Sequence, residues 1–197
     1  MITFKSKKDV ASVEAIFSEI NARMIAALMF HSQMADYFDF LGLRGYKRLH
    51  EYQYVSEGKE RCELNRYYIN HHNRMIPDRY EGSVQMIPEG WKNANRISVG
   101  KSTKQKAVED GFNEYRQWES DTKALYEKYA VTLRDDGHIA DALRVEMLVD
   151  DVDGELKCLE RMLVDLISAG YDMVYIVESQ NSIHDRYKRK TAKVWEV

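Results

Sequence analysis

Glu57 and Glu60 stand one helical turn apart in SEGKER, inside a stretch that otherwise carries an apolar seam. Carboxylates at that spacing share one helix face and offer oxygen ligands to a cation. Arg61 follows directly, so the same interruption could instead form half of an ion-pair layer. Far down the chain lies a second acidic run, Asp150-Asp151-Val152-Asp153-Gly154-Glu155. Four-helix bundles place metal sites at such breaks, where side chains from facing helices converge.

Other chemistry-bearing residues fall into no familiar pattern. His31 lies on an apolar stripe, where a lone histidine is more often a hydrogen-bonded core residue than a ligand. His50, His71 and His72 sit near helix faces or ends, with no Glu or His partner at ligand spacing. Cys62 and Cys158 belong to no CxxC or Cys/His spacing and read as free thiols. The chain has no Walker loop, GxGxxG, GxSxG or HExxH, so nucleotide, hydrolase and zinc-protease chemistry has no motif. The 13 tyrosines and 3 tryptophans recur at helical spacing and read as core and interface aromatics.

The elements that position these residues are long helices. The first begins near Ser6–Asp9, and Val13, Ile16, Phe17, Ile20, Met24, Ala27, Leu28, His31, Met34, Ala35 and Phe38 form one continuous stripe. After a short turn at Leu41–Gly45, Tyr46, Leu49, Tyr54, Leu64 and Tyr68 carry a second stripe, which Pro77 ends. So short a connection makes the two helices antiparallel. From there to about Thr103 the chain is punctuated by Gly82, Pro88, Gly90 and Gly100 and reads as a crossover along the bundle. A third helix over about Lys104–Leu133 turns Phe112, Tyr115, Trp118, Thr122 and Tyr126 inward, and Asp135-Asp136-Gly137 marks a turn. A fourth runs over about Ile139–Ser168 to a glycine stop at Gly170. Tyr171–Val177 reads equally as a strand or a short docking helix, before a tail with five Lys or Arg between Arg186 and Lys193.

Composition agrees. The 197 residues fit one domain with a full core, and only 2 Pro and 10 Gly beside 31% charged residues is a helical profile. A net charge of −3 gives no general reason to bind nucleic acid or an anionic membrane. With no long apolar run and no signal-like N-terminus, the expected location is the cytoplasm.

Taken in order, these pieces resemble the ferritin-like superfamily. Glu19-Ile20-Asn21 resembles the start of a ferritin's first functional turn, and Tyr37-Phe38 its later aromatic pair. Leu43-Arg44-Gly45-Tyr46-Lys47 is similar to the opening of the second helix, and Tyr67-Tyr68-Ile69 with Arg74-Met75-Ile76 to its end. The acidic run at Asp150–Glu155 resembles that of the fourth helix in bacterial ferritins. The resemblance spans roughly residues 10–170 and implies an all-α, ferritin-like four-helix bundle with a long crossover between helices two and three. On this division, residues 1–170 form the bundle and 171–197 a C-terminal extension made of a docking segment and a basic tail.

The resemblance also implies a site, which this chain alters. A ferroxidase centre takes Glu on the first helix, Glu-x-x-His on the second, and carboxylates on the third and fourth. Here Arg23 and Arg116 fall at the first- and third-helix positions, and Gly58 and Arg61 at the second. A shift of one residue brings Glu57 and Glu60 into register, and Asp150 and Asp151 keep the fourth-helix places. Arginine stays protonated and cannot ligate a metal. The expectation is therefore a buried charge layer, with Arg23, Arg61 and Arg116 facing Glu57, Glu60, Glu119, Asp150 and Asp151. That makes a degenerate di-iron site in a non-enzymatic binding or scaffold subunit without cofactor. The alternative is an iron-oxidising or iron-storing protein with a rearranged site of Glu57, Glu60, Asp150 and Asp151. A further alternative is a DNA-associated miniferritin, from Leu49-His50-Glu51, although Tyr54, Asn65 and Ile69 stand where its acids would be. The implied partner is a second copy of the chain; no membrane is expected, and nucleic acid only through the basic tail Arg186–Lys193.

Overall fold

The computed structural model describes residues 7–77 and 99–195, with side chains over 13–77 and 99–187. Among these residues are five helices and no strand: α1 (Lys7–Phe40), α2 (Arg44–His72), α3 (Lys101–Asp135), α4 (Ile139–Ser168) and α5 (Met173–Trp195). The stripes read from the sequence are the buried faces, except at Tyr54 of α2, which is 41% exposed because its neighbour Gln53 takes the inward place. Phe17, Ile20, Met24, Phe30, Met34 and Phe38 of α1 are all at most 1% exposed.

Tight turns are set by a shared device. Gly42, at φ 78°, donates its N–H to Asp39, and Leu43 donates to Phe38 at 2.9 Å, which satisfies the carbonyls left open at the end of α1. The same pair of bonds closes α3 at Gly137 and α4 at Gly170. α2 ends earlier than Pro77 suggests: Asn73, in the left-handed region, caps it at 2.9 Å from the Ile69 carbonyl.

Ring contacts fix the directions. Phe38, Tyr46 and Phe112 meet at one end of the bundle, while Phe17 meets Tyr68, and Tyr67 meets Asp141, at the other. α2 and α3 therefore run parallel, so the end of α2 and the start of α3 lie at opposite ends of the bundle. Ser18 donates to the Pro77 carbonyl at one end, while Val99 packs in the cluster at the other. The span expected as a crossover falls at 78–98, outside the described residues.

Tyr171–Val177 forms no strand, because from Met173 onward it belongs to α5. α5 docks on the start of α2: Ile176 and Ile183 enter the core, and Gln180 Oε1 accepts from the Gly45 backbone N–H at 2.7 Å. The expected basic tail continues α5, and its side chains beyond Tyr187 lie outside the described set.

The core is divided. One apolar cluster gathers around Phe17, Leu64, Tyr126 and Val145, another around Phe38, Tyr46, Phe112 and Leu163. Between them lies a layer of polar side chains.

Candidate metal centre

One stretch from each bundle helix builds this layer. α1 contributes Arg23 and His31, α2 His50, Gln53, Glu57 and Glu60, α3 Tyr115 and Glu119, and α4 Glu155. Glu119 is 1% exposed, and Glu57, Glu60 and Glu155 are half-buried. Four carboxyl groups from three helices thus share one interior.

Their protonation records the crowding. Burial pushes the Glu119 carboxyl up to about 7, with Arg23 pulling the other way. Burial, and then the charge of Glu119, pushes Glu155 up to about 8, against a hydrogen bond from Gln53. Glu60 is held up at about 7, mainly by burial and then by Asp151. Glu57 lies well above the ordinary range through burial, Glu60 and Glu155. Mutual repulsion in a poorly solvated site favours the neutral acids.

Beside these acids sits a pair of uncharged histidines. His31 Nδ1 and His50 Nδ1 are 3.0 Å apart, so one must donate and the other accept. Burial drives His31 down to about 3, and burial with His31 as neighbour drives His50 well below its usual value. His31 Nε2 is 3.6 Å from Glu119 Oε1. A proton on His31 Nε2 faces that carboxylate and leaves Nδ1 to accept from His50 Nδ1. His31 is therefore the hydrogen-bonded core residue expected of it. His50 gains a partner that spacing along one chain segment could not reveal.

The expected charge layer is only partly assembled. Arg116 is exposed, because α3 turns Phe112, Tyr115, Glu119 and Thr122 inward and leaves position 116 off that stripe. Asp150 is exposed for a similar reason: Val145, Leu148, Val152 and Leu159 set the inner face of α4. Asp151 is exposed too, but lines the edge of a cavity that reaches Glu155. Arg61 is half-buried beside Glu60. Arg23 is turned toward α3, donating through Nε to Thr122 Oγ1 and through a terminal nitrogen to the Trp118 carbonyl, both at 2.9 Å. Its guanidinium lies 3.5 Å from the Trp118 ring centre. Glu119 and Asp151 join Glu57 and Glu60 at this level, and Glu155 is the acid that sequence reasoning left unassigned. Its signal was its place one turn after Asp151.

A cation would find oxygen donors here. Glu119 Oε1 and Glu155 Oε2 are buried and accept no hydrogen bond. Glu57, Glu60, Glu119 and Glu155 are close enough to raise one another's carboxyl groups, and their oxygens, with imidazoles at the margin, are the ligand type that suits hard divalent cations. A cavity of about 210 Å³, bounded by Gln53, Tyr115, Asp151 and Glu155 and roofed by Tyr187 of α5, leads inward. No described helix is long and apolar enough to cross a membrane.

No protein-family model matches the sequence, and no curated protein matches it. Solved structures do. An open-pore ferritin from the hyperthermophilic archaeon Archaeoglobus fulgidus superposes with TM-score 0.67 at 16% identity, over 92% of this chain and 98% of that one. A humanized archaeal ferritin does so at 0.68 and 16%, over 91% and 96%. An engineered closed form of the Archaeoglobus fulgidus ferritin gives 0.66 and 16%, over 91% and 96%. Near-complete coverage at this identity establishes the architecture: the chain has the ferritin-like fold.

Proposed function

We propose that this protein handles iron, holding ferrous ions as cargo at a rearranged carboxylate centre of Glu57, Glu60, Glu119 and Glu155. The observation that carries this reading is the excess of buried acid. Four carboxyl groups converge, two of their oxygens accept no hydrogen bond, and Arg23 directs its hydrogen bonds to Thr122 and Trp118 instead. Arg23 offers one positive charge to Glu119 and Glu57, fewer than the acids present, and buried carboxylates short of counter-charge are costly; a divalent cation supplies the rest. The ferritins that share the fold support iron as the ion. Carboxylates would bind and orient it, and the cavity beside Asp151 would admit it.

The test is direct. Metal-stripped protein is given ferrous iron without oxygen and dialysed, then exposed to air while the ferric absorbance is followed. Stoichiometric iron is expected, weakened at least about tenfold by Glu119→Gln or Glu155→Gln. A protein that retains no iron, and whose stability ignores it, would instead be the scaffold subunit with an ion-paired layer.

Self-association completes the proposal. Val131, Ile139, Leu143 and Met147 are all about half exposed or more around the α3–α4 turn. Apolar side chains grouped this way suit a contact with a second copy. Sedimentation should show an assembly in the native protein and a smaller species for Leu143→Glu with Met147→Glu; a monomer in both would remove this element.

A further inference from the structure

A different group of ligands lies at the far end of the bundle, where α2 stops and α4 starts. His72 Nε2 is 2.8 Å from Asp141 Oδ1. His71, Asp141 and His72 each present a ligand atom, and all three atoms lie within 4.8 Å of one another. Among the described residues this group alone is so compact. It stands apart from the carboxylate centre, by roughly 18 Å along α2 at 1.5 Å per residue.

Asp141 is the informative member. It is 1% exposed, at the third position of α4, immediately after the turn at Gly137. Oδ1 accepts from the Tyr67 hydroxyl at 2.9 Å and also lies against His72. Oδ2 is buried and accepts no hydrogen bond, and His138 Nδ1 stands 3.9 Å away. A His72–Asp141 hydrogen bond alone leaves that oxygen unsatisfied and gives His71 no part.

The imidazoles pack against aromatic rings. His71 stacks on Tyr67, with centroids 5.4 Å apart and planes within 15°. His72 sits 4.5 Å from the ring of Tyr68 and 4.8 Å, edge-on, from His71. Tyr67 therefore steadies His71 with its face and Asp141 with its hydroxyl. Metal sites use such an outer shell to fix the ligands.

We infer that His71, His72 and Asp141 form a second cation site, for a divalent transition metal of the zinc class, that staples the end of α2 to the start of α4. Two imidazole nitrogens and one carboxylate oxygen fill three positions of a tetrahedral ion, and water completes the fourth. The donor set differs from that of the oxygen-rich centre, so the two sites prefer different ions. His71 is exposed, which gives the ion an entry from solvent. The inference stands independently of iron handling at the carboxylate centre.

Cobalt(II) reports on the site. Metal-stripped full-length protein is titrated with Co(II), and visible ligand-field bands of a four-coordinate ion are expected, to be bleached when Zn(II) displaces it. His71→Ala should raise the cobalt dissociation constant at least about tenfold. Removing an exposed imidazole leaves the core untouched, and an unchanged melting temperature of the metal-free variant checks this. Zn(II) should raise the melting temperature of the native chain and not that of His71→Ala, since the ion binds only the folded state. Glu119→Gln should keep the cobalt bands. The inference fails if native protein develops no such bands. It also fails if His71→Ala keeps them, or if Glu119→Gln abolishes them while His71→Ala does not, because the ion would then belong to the carboxylate centre.

Discussion

Gly45→Ala should destabilise the protein by about 3 kcal/mol and loosen α5 from the bundle. A Cβ at this position would stand 1.6 Å from the backbone oxygen of Gln180 and 2.5 Å from its carbonyl carbon. The opposing atoms are main chain, so no rotamer change relieves the overlap; α5 must move as a body. Movement breaks the bond between the Gly45 N–H and Gln180, lengthens the 3.3 Å contact of Tyr46 with Ser179, and withdraws Ile176 and Ile183 from the core. It also lifts Tyr187, which packs 5.1 Å from Tyr52 and roofs the cavity leading to Glu155. On an open helix face the same substitution would gain up to about 1 kcal/mol in helix propensity. Gly58→Ala serves as that control, since its Cβ would meet only Leu28 Cδ2, at an ordinary 3.8 Å. Urea unfolding of the two variants should therefore move in opposite directions. Equal midpoints would show that α5 is not seated on Gly45.

The bundle was legible because its signal is local and repeated. Apolar residues three and four apart mark each stripe, and a glycine just past a helix, as at Gly42, Gly137 and Gly170, fixes where the chain reverses. The site was legible only in part, because its register is set between helices. The pairing of His31 with His50 depends on how α1 slides along α2, which neither stripe encodes. Likewise, the choice between Asp150 and Glu155 on α4 turns on one position of the helical period. The resemblance put Asp150 and Asp151 at the ligand places, while the packing of Val152, Leu156 and Leu159 turns Asp150 outward, leaves Asp151 at the cavity's edge and brings Glu155 to the layer. Arg116 went astray in the same way, one position from the buried Tyr115. α5 was obscured because its charged second half reads as a tail, although Ile176, Gln180 and Ile183 recur at the spacing of a buried face.

Freed of metal, the protein should lose several kcal/mol of stability as pH rises from about 5 to about 8, and Glu119→Gln should remove a large share of that loss. In the unfolded chain a glutamate titrates near 4.3. In the fold Glu119 does so at about 7, Glu60 at about 7 and Glu155 at about 8. Between those limits the native state holds protons that the unfolded state has released, so each step up in pH favours unfolding. The stability is fully present below the unfolded value and has been lost once pH passes the folded ones. A displacement of between two and three pH units corresponds to about 3 kcal/mol, shared between Glu119 and the acids it interacts with. A glutamine in its place keeps the shape and carries no charge, so the metal-free variant should be the more stable protein at pH 8 and nearly equal at pH 5. Melting temperatures of both proteins across this range test the point. Iron should flatten the native profile without affecting that of the variant to the same degree, because a bound cation offsets the charge that ionisation creates. A flat profile in the metal-free native protein would mean that arginines already balance the acids. The layer would then be a closed set of ion pairs with nothing left for a metal to do.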